Sequence, residues 1–88
     1  MDIHAITTQE VLERISRHCP EAMTTYLQCI NRANFEGEIF FTKEMIEQSM
    51  SETMTRFKNN IKKLALENLL QWSYLDRGIS VQLAPLDE

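Results

Sequence analysis

The sequence predicts a small α+β domain, and three observations carry that prediction. Apolar residues recur at helical spacing through much of the chain. They alternate at period two near its end, and a short strand-forming run, "EIFF", separates two helical stretches. Eighty-eight residues make one domain spanning 1–88, with little room for a second.

The first helix is announced by "TTQE". Thr7 with Glu10 three residues on is a capping-box pattern, so a helix is expected over 7–18. Val11, Leu12, Ile15 and Cys19 form its narrow apolar stripe, which must be covered by the rest of the domain or by a partner. Glu10 precedes Arg14, and Glu13 precedes Arg17, by four residues each, which suits a solvated face. Pro20 fits the first turn of the next helix, where its missing N–H needs no acceptor. There Ala22, Met23, Tyr26, Leu27, Ile30 and Ala33 repeat at helical spacing, the strongest core pattern of the N-terminal half. "NFEG" ends it, with Gly37 as turn residue, and residues 38–41 read as a strand.

Thr42 caps a short third helix, 43–49, with Met45 and Ile46 inward. After the interruption "SMS", Ser51 is expected to cap a fourth helix whose inward positions are Met54, Phe57, Ile61, Leu64 and Ala65, with Leu69 just beyond. "LLQWSYL" then alternates Leu70, Trp72 and Tyr74, and "ISVQL" alternates Ile79, Val81 and Leu83. Between them "DRG", 76–78, makes a tight turn. Residues 1–6 and 84–88 are expected to be loose.

Composition narrows the function. A chain 43% hydrophobic and 25% charged is a folded globular one. No apolar run approaches the roughly 18 residues of a membrane span. The start, "MDIHAITTQE", lacks the basic region and apolar core of a secretory signal, so a cytoplasmic location is expected. Ten residues of helix would hold Cys19 and Cys29 about 15 Å apart, too far for a disulfide, so both are expected as reduced thiols. His4, His18, Cys19 and Cys29 show no recognised metal-ligand spacing. With Gly37 and Gly78 as its only glycines, the chain has no phosphate-binding or dinucleotide-binding loop. No nucleophile–base arrangement is readable either. The expectation is a binding protein, without catalysis, cofactor or metal.

The net charge of -4 hides a local reversal. Residues 1–52 hold nine acids against four bases, and 67–88 hold four acids against Arg77. Residues 53–66, by contrast, hold Arg56, Lys58, Lys62 and Lys63 and no acid. Such asymmetry points to a local electrostatic surface.

From residue 20 to 83 the order helix, strand, two helices and β-hairpin resembles the winged helix-turn-helix superfamily of small DNA-binding regulators. "KKLALENLLQW" carries the resemblance further. In that family the second helix of the motif often ends in a Leu, two or three polar residues, a Gly and an apolar strand start. Asn68 stands here in the Gly place, and Asn is the next-best residue for the left-handed conformation that ends a helix. The resemblance implies a winged-helix domain with one extra N-terminal helix, acting as a sequence-specific double-stranded DNA-binding regulator.

Winding 52–67 at about 100° per residue gathers the apolar positions in one wedge and puts Thr55, Arg56, Asn59, Lys62, Lys63 and Leu66 opposite. Arg reads guanine, Asn reads adenine, and Thr or Lys holds phosphate. Thr55, Arg56 and Asn59 are therefore expected at base edges, and Lys58, Lys62 and Lys63 at phosphates. Arg77, at the hairpin tip, is the expected wing contact to the minor groove. The uncovered stripe of the first helix predicts a homodimer contact through residues 8–18. The competing expectation is a winged-helix protein adaptor, binding another protein through Leu66 and Leu75.

Overall fold

The computed structural model of the protein describes residues 7–50 and 52–86. Residues 1–6, Ser51 and residues 87–88 lie outside them, and with them His4, the expected loose N-terminus and the expected Ser51 cap. The architecture is α+β: helices packed on one face of a three-stranded antiparallel sheet.

Helix α1, Thr8–His18, begins with the expected capping box, Thr7 Oγ1 accepting from the Glu10 N–H at 3.1 Å. Val11 and Ile15 are fully buried and Cys19 nearly so. Three of the four stripe residues are thus covered by the chain itself, while Leu12 stays half-buried in a shallow surface depression with Thr8, Gln9, Glu13, Ser16 and Arg17, on the face where the dimer contact through residues 8–18 is expected. Among the described residues neither Glu10–Arg14 nor Glu13–Arg17 closes as an ion pair, and for the first pair both members have other partners. Glu10 folds back onto Thr7, and Arg14 Nη1 donates to the Glu67 carbonyl at 2.9 Å. His18 Nδ1 lies 2.8 Å from Glu67 Oε1, so the end of α1 is fastened at two points to one distant residue.

A 3-10 turn, Pro20–Ala22, leads into α2, Met23–Arg32. Its buried residues are Thr25, Tyr26 and Cys29, preceded by buried Ala22. Leu27, expected inward, is 46% exposed, while Thr25, not expected there, is buried. Winding explains the exchange: Thr25 lies beside the Ala22–Tyr26–Cys29 row and Leu27 lies past its far side. Beyond α2, Asn34 Oδ1 accepts from the N–H groups of Glu36 and Glu38, both at 2.9 Å, and turns the chain into β1, Glu38–Thr42.

Thr42 Oγ1 accepts from the Met45 N–H, as expected of a cap, but the turn that follows, Met45–Ser49, is π-helical. The Met50 N–H goes to the Met45 carbonyl and the Glu52 N–H to that of Ile46. Helix α3, Met54–Leu66, is capped by Thr53, two residues past the expected cap, where the backbone is still extended, Thr53 Oγ1 accepting from the Arg56 N–H at 3.2 Å. Asn68 closes α3 at a positive φ of 62°, the conformation anticipated for it.

Strands β2, Leu70–Leu75, and β3, Gly78–Leu83, form the hairpin, and the sheet order is β1-β3-β2. Ile39, Phe41, Leu70, Ile79 and Val81 point into the core, where Phe41 meets Phe57 of α3 edge-on, ring centroids 4.8 Å apart. Past β3 the chain stays attached: the Ala84 N–H donates to the Leu69 carbonyl and Leu86 packs on the core. Among the described residues no helix is long and apolar enough to cross a membrane.

Candidate nucleic-acid interface

The inward face of α3 is set by Phe57, Ile61 and Leu64, all fully buried. That anchoring fixes which side chains look outward. Thr55, Arg56, Asn59 and Lys62 are exposed, as expected. Among the described residues none of these four side chains has a hydrogen-bond or ion-pair partner. They are free to take an external ligand.

The other two cations of the helix are engaged. Lys63 Nζ donates to Glu21 Oε2, and that bond holds the Glu21 carboxyl below its usual pKa. Lys58 Nζ stands 4.4 Å from the centroid of the Tyr74 ring, a cation–π contact between α3 and β2. Neither contact removes charge, but each fixes where the charge sits. Of the four cations that the sequence placed together, Arg56 and Lys62 are free and Lys58 and Lys63 are pinned to opposite neighbours.

Thr55, Arg56, Asn59 and Lys63 line one side of a shallow groove, and Glu21, Thr24 and Glu52 contribute to its other walls. Two acids in that lining lower its positive potential, Glu52 beside the start of α3 and Glu21 beside Lys63 in its last turn. Glu52 is turned inward in part, its Oε1 accepting from Asn60 Nδ2 at 3.3 Å. Asn60 is buried and also donates to Thr25 Oγ1 at 3.0 Å, so the floor of the groove is a hydrogen-bonded link between α3 and α2.

Arg77 is exposed at the connection between β2 and β3, as expected of a hairpin tip. Leu66 and Leu75 are 83% and 47% exposed, but the structure does not bring them together. The Lys58–Tyr74 contact places the far end of β2 beside the first half of α3. Leu66 lies eight helical residues further on, about 12 Å along the axis.

Sequence reasoning missed Glu21, Tyr74 and Asn60. Glu21 and Tyr74 meet their lysines only through the tertiary fold, and no local spacing announces them. Asn60 did carry a signal, since it falls within the apolar wedge of α3 between Phe57 and Leu64. Its polarity masked a position that the helical period assigns to the interior. No protein-family model, curated protein or solved structure matches the chain.

Proposed function

We propose that the protein is a winged helix-turn-helix domain that binds double-stranded DNA in a sequence-specific manner and acts as a regulator by binding alone. The order of elements from residue 20 and the strand order β1-β3-β2 suit that fold. One observation carries the reading: the outward face of α3 presents Thr55, Arg56, Asn59 and Lys62 without internal partners, on a helix held rigidly by its buried side. Such side chains recognise base edges and phosphates. Thr55, Arg56 and Asn59 read bases, Lys62 holds phosphate, and Lys58 and Lys63 add field from fixed positions. Arg77 reaches the adjacent backbone or minor groove from the hairpin tip.

Selection of bound duplexes from a random DNA pool at moderate salt tests the reading, with an Arg56→Ala/Lys62→Ala variant beside the original chain. Enrichment of a motif that the variant fails to recover supports it. No enriched motif, together with no binding at low salt, refutes it and turns this face toward a protein partner, with Leu66 as the exposed apolar anchor.

A further inference from the structure

Strand β2 lies at one edge of the sheet, paired to β3 on one side only among the described residues. The hydrogen-bond pattern says which of its backbone groups face outward. Residues opposed in an antiparallel pair alternate between exchanging both hydrogen bonds and pointing them away. The Ala84 N–H donates to the Leu69 carbonyl, whereas the Leu83 N–H turns to Gly37, on the β1 side. Leu83 is the partner of Leu70, so that pair points its N–H and C=O groups away from each other. By alternation the same holds for Trp72 and Tyr74. Among the described residues the N–H and C=O groups of Leu70, Trp72 and Tyr74 thus form an open ladder along the edge.

Natural sheets guard such edges with Lys, Pro, bulges or inward charges. Leu70–Leu75, "LQWSYL", has no Pro and no charge. Its pattern is also symmetric in character about Trp72: apolar, polar, aromatic, polar, aromatic. We propose that this edge pairs antiparallel with the β2 of a second copy, about a two-fold axis at Trp72.

In that register Trp72 meets Trp72 of the second copy, Leu70 meets its Tyr74, and all three residues use their outward N–H and C=O groups. On the other face Gln71 meets Ser73 of the second copy. Apolar side chains oppose apolar ones and polar oppose polar, with no like charges between the strands. The 59% exposed ring of Tyr74 gains a cover on the α3 side of the sheet. An axis perpendicular to the sheet also keeps both copies of α3 on one side of a continuous six-stranded sheet. The pairing needs no DNA, so it stands or falls separately from the function proposed above.

Equilibrium sedimentation of the full chain at micromolar concentration tests it, with two variants that alter only exposed positions. Gln71→Lys/Ser73→Lys sets lysine against lysine twice across the axis and is expected to weaken association by about tenfold. Gln71→Glu/Ser73→Lys sets glutamate against lysine twice and is expected to keep the dimer. Near-ultraviolet circular dichroism verifies that both variants stay folded. A full chain that remains monomeric throughout overturns the proposal, and so does equal association of the two variants.

Discussion

Asn60 Nδ2 lies 3.0 Å from Thr25 Oγ1, and both residues are buried, so a single polar contact joins α3 to α2 inside the core. A buried hydrogen bond contributes modestly when made and costs more when half of it is removed. Asn60→Ala leaves the Thr25 hydroxyl without its donor and also releases Glu52. It is expected to destabilise the fold by about 1–3 kcal/mol in urea unfolding. The double change Asn60→Leu/Thr25→Val removes both partners, so its cost should fall short of the sum of Asn60→Leu and Thr25→Val. Additive costs would mean the two side chains act independently.

That contact also shows where the sequence stopped being legible. Patterns with a local cause were readable: the Thr7–Glu10 capping box, the left-handed turn at Asn68, the alternation of Ile79 and Val81, and the inward row Phe57, Ile61 and Leu64. Each follows from spacing along one element. What escaped depends on residues far apart in the chain. Glu67 fastens Arg14 and His18, Glu21 takes Lys63, and Tyr74 takes Lys58. The cap of α3 is Thr53, two residues past the expected one, because the backbone is still extended at Thr53, which no local spacing announces. The site was legible as a face of α3, whereas the division of its cations into free and pinned ones was not.

The two glycines differ in what they permit. A Cβ at Gly78 would lie 1.9 Å from the Phe41 carbonyl oxygen, inside the ladder between β3 and β1. Backbone cannot yield there without parting the strands, so Gly78→Ala is expected to cost about 3 kcal/mol. Gly37 has φ +78° but meets its nearest atom, the end of the Gln82 side chain, at 3.3 Å. Gly37→Ala therefore carries chiefly the left-handed backbone penalty, about 1 kcal/mol. Urea midpoints of the two variants should fall in that order, and the reverse order would contradict the strand register.

Stability should also decline in alkaline solution because of Cys29. Burial pushes its thiol up from the usual 9.0 to about 12. Above pH 9 the unfolded chain releases this proton while the folded chain keeps it. The folded state then binds more protons, so stability falls as pH rises through that interval toward 12. Cys19 adds to the trend, its thiol raised by burial and by the neighbouring carboxylates of Glu67 and Glu21. Urea midpoints measured at neutral pH and at about pH 10.5 should separate clearly, and Cys29→Ala should narrow the separation. An unchanged separation in Cys29→Ala would assign the alkaline loss to other groups.

The Glu21–Lys63 pair makes the sharpest functional prediction, because it sets an acid in the groove that Arg56 and Lys63 line. Both side chains are about half exposed, so the pair adds little to folding and Glu21→Gln should leave the fold intact. On the DNA-binding function proposed above, its consequence lies in duplex affinity. Removing the carboxylate frees Lys63 for phosphate and removes a charge that repels the backbone. Affinity for duplex DNA should rise at low salt, and the slope of log affinity against log salt should steepen by about 0.9 for one added phosphate contact. Sequence preference should not change, since the proposed arrangement gives Lys63 no base to read. Arg56→Ala should behave in the opposite way, relaxing preference at one base pair by about 1–3 kcal/mol. Fluorescence anisotropy titrations across a salt series, with the selected site and a scrambled duplex, separate the two effects. If Glu21→Gln leaves the salt slope unchanged, Lys63 does not approach the phosphates, and the groove beside Glu21 lies outside the DNA contact.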